Sequence, residues 1–148
     1  MNSKRYFEDF CVGESFTFGS YKMSEAEIIR FAKQYDPQPF HTDPEAAKDS
    51  PMGHFCASGL HTMSVVQRLN VEGLYNHIHL IAGRGIDNLN LLKPVVSNDV
   101  ITAKMDITGL KAYPRLKRGL VQARSLAVNQ NGQMVVKMDV EYLVSMRD

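Results

Sequence analysis

The sequence predicts a single α+β domain in which an antiparallel sheet folds around a long buried helix. Two helical patterns occupy the first half of the 148-residue chain, and strand patterns fill the part after Ile81. Asn131-Gly132 separates the last two strands and is a strong hairpin signal, because both residues tolerate positive φ. The length suits one domain and is too short for two ordinary ones. We therefore expect one domain over residues 1–148, without repeats or linkers.

A strand and an apolar helix are predicted near the N-terminus. Phenylalanines alternate with small or polar residues over residues 14–23, which is typical of a half-buried strand. Ser24-Glu25-Ala26-Glu27 is a capping box that begins a helix. We expect this helix to end at Asp36, because Pro37 disfavours the α conformation in the residue before it. Its apolar stripe consists of Ile28, Phe31, Ala32 and Tyr35.

A long loop and a second helix follow. Residues 37–53 are predicted to be loop-like, with one helical turn over Pro44–Lys48 where proline takes a favoured first position. Loops of this length are usually functional. The second helix is expected from about Phe55 to Tyr75, with much of it buried.

Four strands are predicted after the second helix, and their antiparallel sheet is long for so short a chain. Exposed sheet edges invite pairing with another copy. We therefore expect a homodimer or a dimer of dimers. The predicted strands cover residues 83–92, 99–110, 120–129 and 133–146.

Composition excludes several classes of partner. The 17 basic and 16 acidic side chains nearly cancel, so neither nucleic acid nor an anionic membrane surface is expected as a partner. The N-terminus lacks the apolar run of a signal peptide, and no segment is apolar enough to span a bilayer. Cys11 and Cys56 are far apart and are interpreted as buried, reduced thiols. These features favour a cytoplasmic protein.

Asp36 and His41 are the best candidates for acid/base chemistry. They are separated by a short loop that Pro37 and Pro39 stiffen. A carboxylate at the C-terminal end of a helix meets the negative end of the dipole, so we expect the pKa of Asp36 to be raised. Histidine exchanges protons near pH 7. The alternative is a surface turn in which both side chains satisfy local backbone groups.

The start of the second helix is a candidate oxyanion site. Ala57-Ser58-Gly59 provides small residues, and the first N–H groups of a helix have no intrahelical acceptor. The alternative is a helix cap with tight packing.

Three segments together resemble the MaoC-like dehydratases, the family that includes the (R)-specific enoyl-CoA hydratases. Residues 35–47 (Tyr-Asp-Pro-Gln-Pro-Phe-His-Thr-Asp-Pro-Glu-Ala-Ala) resemble the hydratase motif of aspartate, two residues, proline, one residue and histidine. Ala57-Ser58-Gly59 resembles the start of the family's central helix, and residues 91–100 resemble its Pro-Val strand and turn. The resemblance extends from about Tyr6 to Met146 and implies the hot-dog fold.

The resemblance also implies a mechanism and its residues. Asp36 and His41 would activate water and donate the proton, and the Gly59 N–H would be the oxyanion donor. The substrate would be a trans-2-enoyl-CoA or 3-hydroxyacyl-CoA thioester, with coenzyme A entering as part of the substrate and no other cofactor. For substrate binding we expect Gln38, Phe40, Ser58, His61 and Arg118.

Three positions depart from the family pattern. The family usually has asparagine at the position of Gln38, commonly glycine at that of Tyr35, and often histidine at that of Ser58. Each of these positions is expected to line the pocket, so the substrate is less transferable than the chemistry.

Alternatives remain open at the level of the sequence. Arg118 belongs to a basic stretch that suits the phosphates of coenzyme A or, equally, a solvated strand face. His41, His54 and His61 follow no recognised metal-ligand spacing, so no metal is expected. The functional alternatives to a hydratase are a non-catalytic acyl-thioester binding or regulatory protein and an acyl-CoA thioesterase.

Overall fold

The sheet has five antiparallel strands in the order β1-β3-β4-β5-β2. The computed structural model describes residues 3–148. Within the sheet, β3 and β4 are central neighbours, whereas β1 and β2 form its two edges. The strands are β1 (Ser15–Lys22), β2 (Leu80–Leu91), β3 (Val100–Tyr113), β4 (Arg118–Val128) and β5 (Met134–Ser145).

The strand predictions are confirmed to within a few residues. β2 begins three residues earlier than the pattern indicated, and β3 continues to Tyr113. The hairpin between β4 and β5 is present, and Gly132 there has a φ of 72°. That left-handed conformation explains why glycine follows Asn131 at this turn.

Within the described residues, four α-helices lie between β1 and β2. The capping box at Ser24 is confirmed in part, because the Ser24 Oγ accepts a hydrogen bond from the Glu27 N–H at 3.2 Å. The first helix ends one residue before Asp36, as Pro37 predicts. The helices are α1 (Glu25–Tyr35), α2 (Pro39–Thr42), α3 (Pro44–Lys48) and α4 (Gly59–Gly73).

Two helices, α2 and α4, differ from the sequence prediction. The short helix α2 was not predicted, although its proline at the first position is a favourable start. Helix α4 begins at Gly59 instead of Phe55, because the residues before it are tied down in an extended segment. The Cys56 N–H donates to the Phe40 carbonyl at 3.1 Å, and the Ala57 N–H donates to the Val95 carbonyl at 2.8 Å.

The long helix α4 packs on one half of the sheet. It contacts β1 and β3, and its buried face includes Val65, Val66 and Leu69. Burial of this face against the strands supplies the hydrophobic stabilisation of the fold. The arrangement confirms the predicted sheet around a long helix, which is the hot-dog fold.

The two cysteines differ in environment. Cys56 is buried, but Cys11 is exposed, so the prediction of two buried thiols was wrong for Cys11. Both are free thiols. Among residues 3–148, no helix is both long and apolar enough to cross a membrane. The cytoplasmic location stays a prediction.

Candidate active site

Asp36 lies at the centre of a polar cluster that joins α1, α2 and α4. Its Oδ2 accepts a hydrogen bond from the Ser58 Oγ at 2.7 Å and lies 3.5 Å from the His41 Nε2. Its Oδ1 accepts a hydrogen bond from the Gln38 Nε2 at 2.7 Å. The Asp36 side chain is 20% exposed and that of His41 is 7% exposed. The two predicted acid/base residues are therefore adjacent and largely shielded from bulk water.

The prediction of a raised pKa for Asp36 was wrong. Burial does act to raise the pKa of this carboxyl. The hydrogen bonds from Gln38 and Ser58 and the charge of His41 act in the opposite direction, and the net result is a lowered pKa. Asp36 is consequently a carboxylate at neutral pH. The helix dipole, on which the prediction was based, is therefore not the dominant influence on this carboxyl, because Gln38 and Ser58 donate to it.

The proton on His41 is placed by a backbone carbonyl. The His41 Nδ1 lies 2.7 Å from the Cys56 carbonyl oxygen, which can only accept a hydrogen bond. Nδ1 therefore carries a proton. In the neutral imidazole, the lone pair is then on Nε2, the nitrogen that faces the Asp36 carboxylate.

Gly59 is the first residue of α4, and its N–H has no acceptor within the helix. Ser58 precedes it as the N-cap and accepts a hydrogen bond from the Leu60 N–H at 3.2 Å. A Cβ at Gly59 would collide with the Leu91 side chain. Ser58 thus connects the predicted oxyanion donor directly to Asp36.

A cavity of about 250 Å³ lies beside this cluster, and Asp36, Gln38 and Ser58 are outside its wall, contrary to the expectation that the last two line the pocket. His41 and Gly59 lie in its wall together with Phe40, so the predicted catalytic histidine and oxyanion donor share one space. Its remaining walls are largely apolar, which suits an acyl chain. They include Met52, Cys56, Ala57, Thr62, Leu91, Leu92, Pro94, Val95 and Val135.

Gln38 and Ser58, predicted to bind substrate, are hydrogen-bonded to Asp36. The structure therefore brings both to the site, where their observed partner is the carboxylate. Phe40 lines the cavity and lies edge-on to His41, with 4.3 Å between the ring centroids.

His61 does not join the cluster. It is 3% exposed, and its side chain lies against Glu27 and Phe31 of α1 instead of Asp36. Its Nε2 lies 3.6 Å from the Glu27 Oε1, and its ring stacks on Phe31 with 4.6 Å between centroids. It lines a separate cavity of about 290 Å³. Burial lowers the pKa of His61, so this imidazole is neutral at neutral pH.

Arg118 is also remote from the site within one chain. It begins β4, whereas Ala127 near the other end of β4 pairs with Val136, the partner of Leu91 in the cavity wall. At about 3.3 Å per residue, the two ends of this strand are roughly 30 Å apart. The interpretation of Arg118 as a substrate contact is not supported within the chain.

Two residues of the site were not predicted. The Cys56 carbonyl orients His41, and Leu91 covers Gly59. A backbone carbonyl leaves no sequence signal, because every residue has one. Leu91 was recognised as part of a strand, but its contact with Gly59 depends on tertiary packing. In the part of the chain that the structure describes, no group of three or more His, Cys, Asp and Glu side chains is arranged to hold a metal ion.

Comparison with known proteins identifies the same fold and family. The MaoC-like dehydratase of Rhodospirillum rubrum is 31% identical, and its crystal structure aligns over 97% of this chain and 99% of that one with a TM-score of 0.88. A monoamine oxidase regulatory protein from Archaeoglobus fulgidus is 27% identical over 99% of this chain and 97% of its own, also with a TM-score of 0.88.

The (R)-hydratase from A. caviae involved in PHA biosynthesis has a TM-score of 0.74 over 95% of this chain and 99% of its own. At 22% identity, it is evidence for the fold alone. The family model for the MaoC like domain matches residues 9–129, most of the chain. The chain therefore belongs to the MaoC-like dehydratase family and has its hot-dog fold.

Proposed function

We propose that this protein is a hydratase/dehydratase that interconverts a trans-2-enoyl-CoA and a 3-hydroxyacyl-CoA. The observation that carries the proposal is the pairing of Asp36 with His41, at 3.5 Å, beside the free N–H of Gly59. The family membership and the name of the related dehydratase support this class of reaction.

The geometry suggests how water is held. In its neutral form, His41 offers a lone pair on Nε2, and the Asp36 carboxylate offers a second acceptor close by. One water molecule can donate a hydrogen bond to each, which leaves an oxygen lone pair for attack on C3 of the enoyl thioester. The donors on Asp36 keep it ionised, so His41 is the proton carrier.

The reaction then proceeds through an enolate. As the water oxygen bonds to C3, its proton moves to His41 Nε2, and the imidazolium is stabilised by the Asp36 carboxylate. The negative charge that develops on the thioester oxygen is stabilised by the Gly59 N–H. His41 returns a proton to C2, which completes the addition of one water molecule. Dehydration follows the same path in reverse.

The test is the absorbance of the conjugated enoyl thioester, followed on a short panel of trans-2-enoyl-CoA substrates. The variants are Asp36→Asn and His41→Ala, and the matched controls are Asp49→Asn and His77→Ala, which change exposed residues outside the cavity. We expect the first pair to lower kcat/KM by about 10²- to 10⁴-fold, the usual contribution of general acid/base catalysis, and the controls to retain activity.

Two results would contradict the proposal. Turnover that survives both Asp36→Asn and His41→Ala would exclude this pair as the catalytic groups. A wild-type protein that binds acyl-CoA but converts none of the panel would favour a non-catalytic binding protein, the alternative that the name of the Archaeoglobus relative also suggests.

A homodimer is proposed as the functional form. β2 is an edge strand with large apolar side chains in the open, including Ile81 at 46% exposure and Ile86 at 55%. Beside it, a groove of about 650 Å³ separates α4 from β2 and β5. A second copy that pairs along β2 would cover both features. Light scattering on a gel-filtration column measures the mass, and a monomer at micromolar concentration would contradict the proposal.

A further inference from the structure

We propose that three aromatic rings in contact, those of His61, Phe31 and Tyr35, position Asp36 against Ser58 at the candidate active site. We call these three rings the ring column. Its members are positioning residues, since all three lie outside the wall of the active-site cavity. The inference rests on the proposed function only where it concerns turnover, because the environment of Asp36 can be measured without substrate.

The ring column begins on α4, two residues after the predicted oxyanion donor Gly59. The His61 imidazole lies face to face with the Phe31 ring of α1, with 4.6 Å between the centroids and 8° between the planes. The centroid of the Phe31 ring is in turn 5.1 Å from that of Tyr35, four residues later on the same face of α1. Tyr35 is followed directly by Asp36. The ring column therefore connects the start of α4 to the end of α1.

His61 is the fixed end of the ring column. It is 3% exposed, and its Nε2 lies 3.6 Å from the Glu27 Oε1. Tyr21 of β1 donates a hydrogen bond to the same oxygen at 2.5 Å, so the carboxylate is itself held by the sheet. Since Nε2 faces a carboxylate, it carries the proton of the neutral imidazole. The contact through Nε2 and the contact through the ring face with Phe31 together fix the orientation of His61.

The last turn of α1 lies beyond the buried part of this helix. Ala32 is the last buried residue of α1, and the three residues between it and Asp36 are exposed, Tyr35 to 62%. The Asp36 N–H donates to the Ala32 carbonyl at 2.8 Å, so the position of the carboxylate follows that of this turn. The contact between Phe31 and Tyr35 thus ties the last turn of α1 to α4.

Tyr35 is a feature of this chain and not of the family pattern, which commonly has glycine there. Glycine has no side chain and could not contact Phe31. Ser58 stands where the family often has histidine and has a short side chain, yet its Oγ reaches the Asp36 Oδ2 at 2.7 Å. A short donor on α4 requires a close approach of Asp36, and the ring column favours that approach.

The test is the pKa of Asp36, measured by NMR from the chemical shift of its carboxyl carbon. Burial raises the pKa of this carboxyl, whereas Gln38, Ser58 and His41 lower it. We expect Tyr35→Ala to raise the pKa, because the hydrogen bond from Ser58 weakens when the last turn of α1 loses its support. Greater exposure of Asp36 alone would lower the pKa, so the sign separates the two effects. Tyr35→Phe keeps the ring and should retain the wild-type pKa.

The other end of the ring column provides a second variant. His61→Leu removes the ring that contacts Phe31 and should also raise the pKa of Asp36. His79→Leu is the matched control, because His79 likewise stacks on an aromatic ring, that of Tyr6, with 3.9 Å between the centroids, but lies just before β2. It should leave the pKa of Asp36 unchanged.

A double-mutant cycle tests whether the ring column acts through Ser58. In a Ser58→Ala background, Tyr35→Ala should not raise the pKa of Asp36 further, because the hydrogen bond on which it acts is absent. This result would support the inference, even if no thioester of the panel reacts. An unchanged or lowered pKa in Tyr35→Ala, an equal rise in Tyr35→Phe, or additive changes with Ser58→Ala would overturn it, even if the enzyme hydrates enoyl thioesters.

Turnover adds a separate measurement where wild type is active. We expect Tyr35→Ala to lower kcat by about 10- to 10²-fold with KM unchanged, since a displaced catalytic group acts on the reacting geometry. Tyr35→Phe should retain the wild-type kcat. A change confined to KM would contradict the positioning role.

Discussion

Replacement of Ser58 by alanine tests the link between α4 and Asp36. The Ser58 hydroxyl makes two hydrogen bonds. It donates to the Asp36 Oδ2 at 2.7 Å, and it accepts from the Leu60 N–H at 3.2 Å as the N-cap of α4. Ser58→Ala removes both and leaves a methyl group in a fully buried position.

The expected loss of stability can be worked out from these two bonds. An N-cap contributes about 1 kcal/mol to the free energy of unfolding. A hydrogen bond to a charged group contributes about 1.5–3 kcal/mol, and the lower end applies because Asp36 keeps its bond to Gln38 and some contact with water. Ser58→Ala should therefore lower the free energy of unfolding by about 2–3 kcal/mol, measured by chemical denaturation.

Ser24→Ala is the matched control. Ser24 caps α1 with a hydrogen bond of the same length, 3.2 Å from the Glu27 N–H, but has no contact with Asp36. We expect it to cost about 1 kcal/mol, the value of the cap alone, with the hydratase activity unchanged.

The pH dependence separates the role of Ser58 at Asp36 from its role as a cap. The folded-state pKa of Asp36 is lowered, so its ionised form stabilises the fold above the unfolded pKa and this contribution is lost as the pH falls through the folded pKa. Ser58→Ala removes one of the groups that lower this pKa. The acid limb of stability should therefore move to higher pH in Ser58→Ala and stay in place in Ser24→Ala. Identical acid limbs in wild type and Ser58→Ala would refute the assignment.

Two further predictions concern the core. Gly119→Ala should lower the free energy of unfolding by about 1–3 kcal/mol, because the added Cβ collides with the buried Phe7 ring. The control Gly19→Ala places its Cβ in open space and should change the free energy of unfolding by less than about 0.5 kcal/mol. Both values are measured by chemical denaturation, and equal effects would contradict this packing. Burial raises the pKa of Tyr75 to about 12, and that of Tyr142, in contact with it, higher still. Tyr75→Phe should therefore leave the phenolate absorbance below about pH 11 unchanged, and a smaller titration amplitude there would show that the ring is accessible.

The fold could be predicted from the sequence because its signals are local. Proline ends α1 before Asp36, a serine begins it, and Gly132 marks the last hairpin. Each signal depends on a backbone preference that acts within a few residues. The start of α4 was placed too early, because the extended segment before it is fixed by hydrogen bonds from distant parts of the chain, to Phe40 and Val95.

The candidate site was predictable in its members but not in its electrostatics. Asp36 and His41 are five residues apart, and a short proline loop brings them together. Ser58 is 22 residues from Asp36 in sequence, so its hydrogen bond depends on how α4 docks. When that bond and the one from Gln38 are not known, the remaining influences on the pKa of Asp36 are the helix dipole and burial. Both raise the pKa of a carboxyl, so the predicted direction was wrong.

The same two hydrogen bonds explain how the site tolerates two of its three departures from the family pattern, those at Gln38 and Ser58. Gln38 stands where the family usually has asparagine, and Ser58 stands where it often has histidine. Both are donors, and both donate to Asp36 at 2.7 Å. A carboxylate that must remain ionised beside a proton-carrying imidazole requires donors at its oxygens, and an amide or a hydroxyl meets that requirement. The substitutions therefore preserve the charge of Asp36 that the proposed mechanism needs. They change the length and shape of groups beside the cavity, so their effect is expected in the choice of acyl chain and not in the proton transfer.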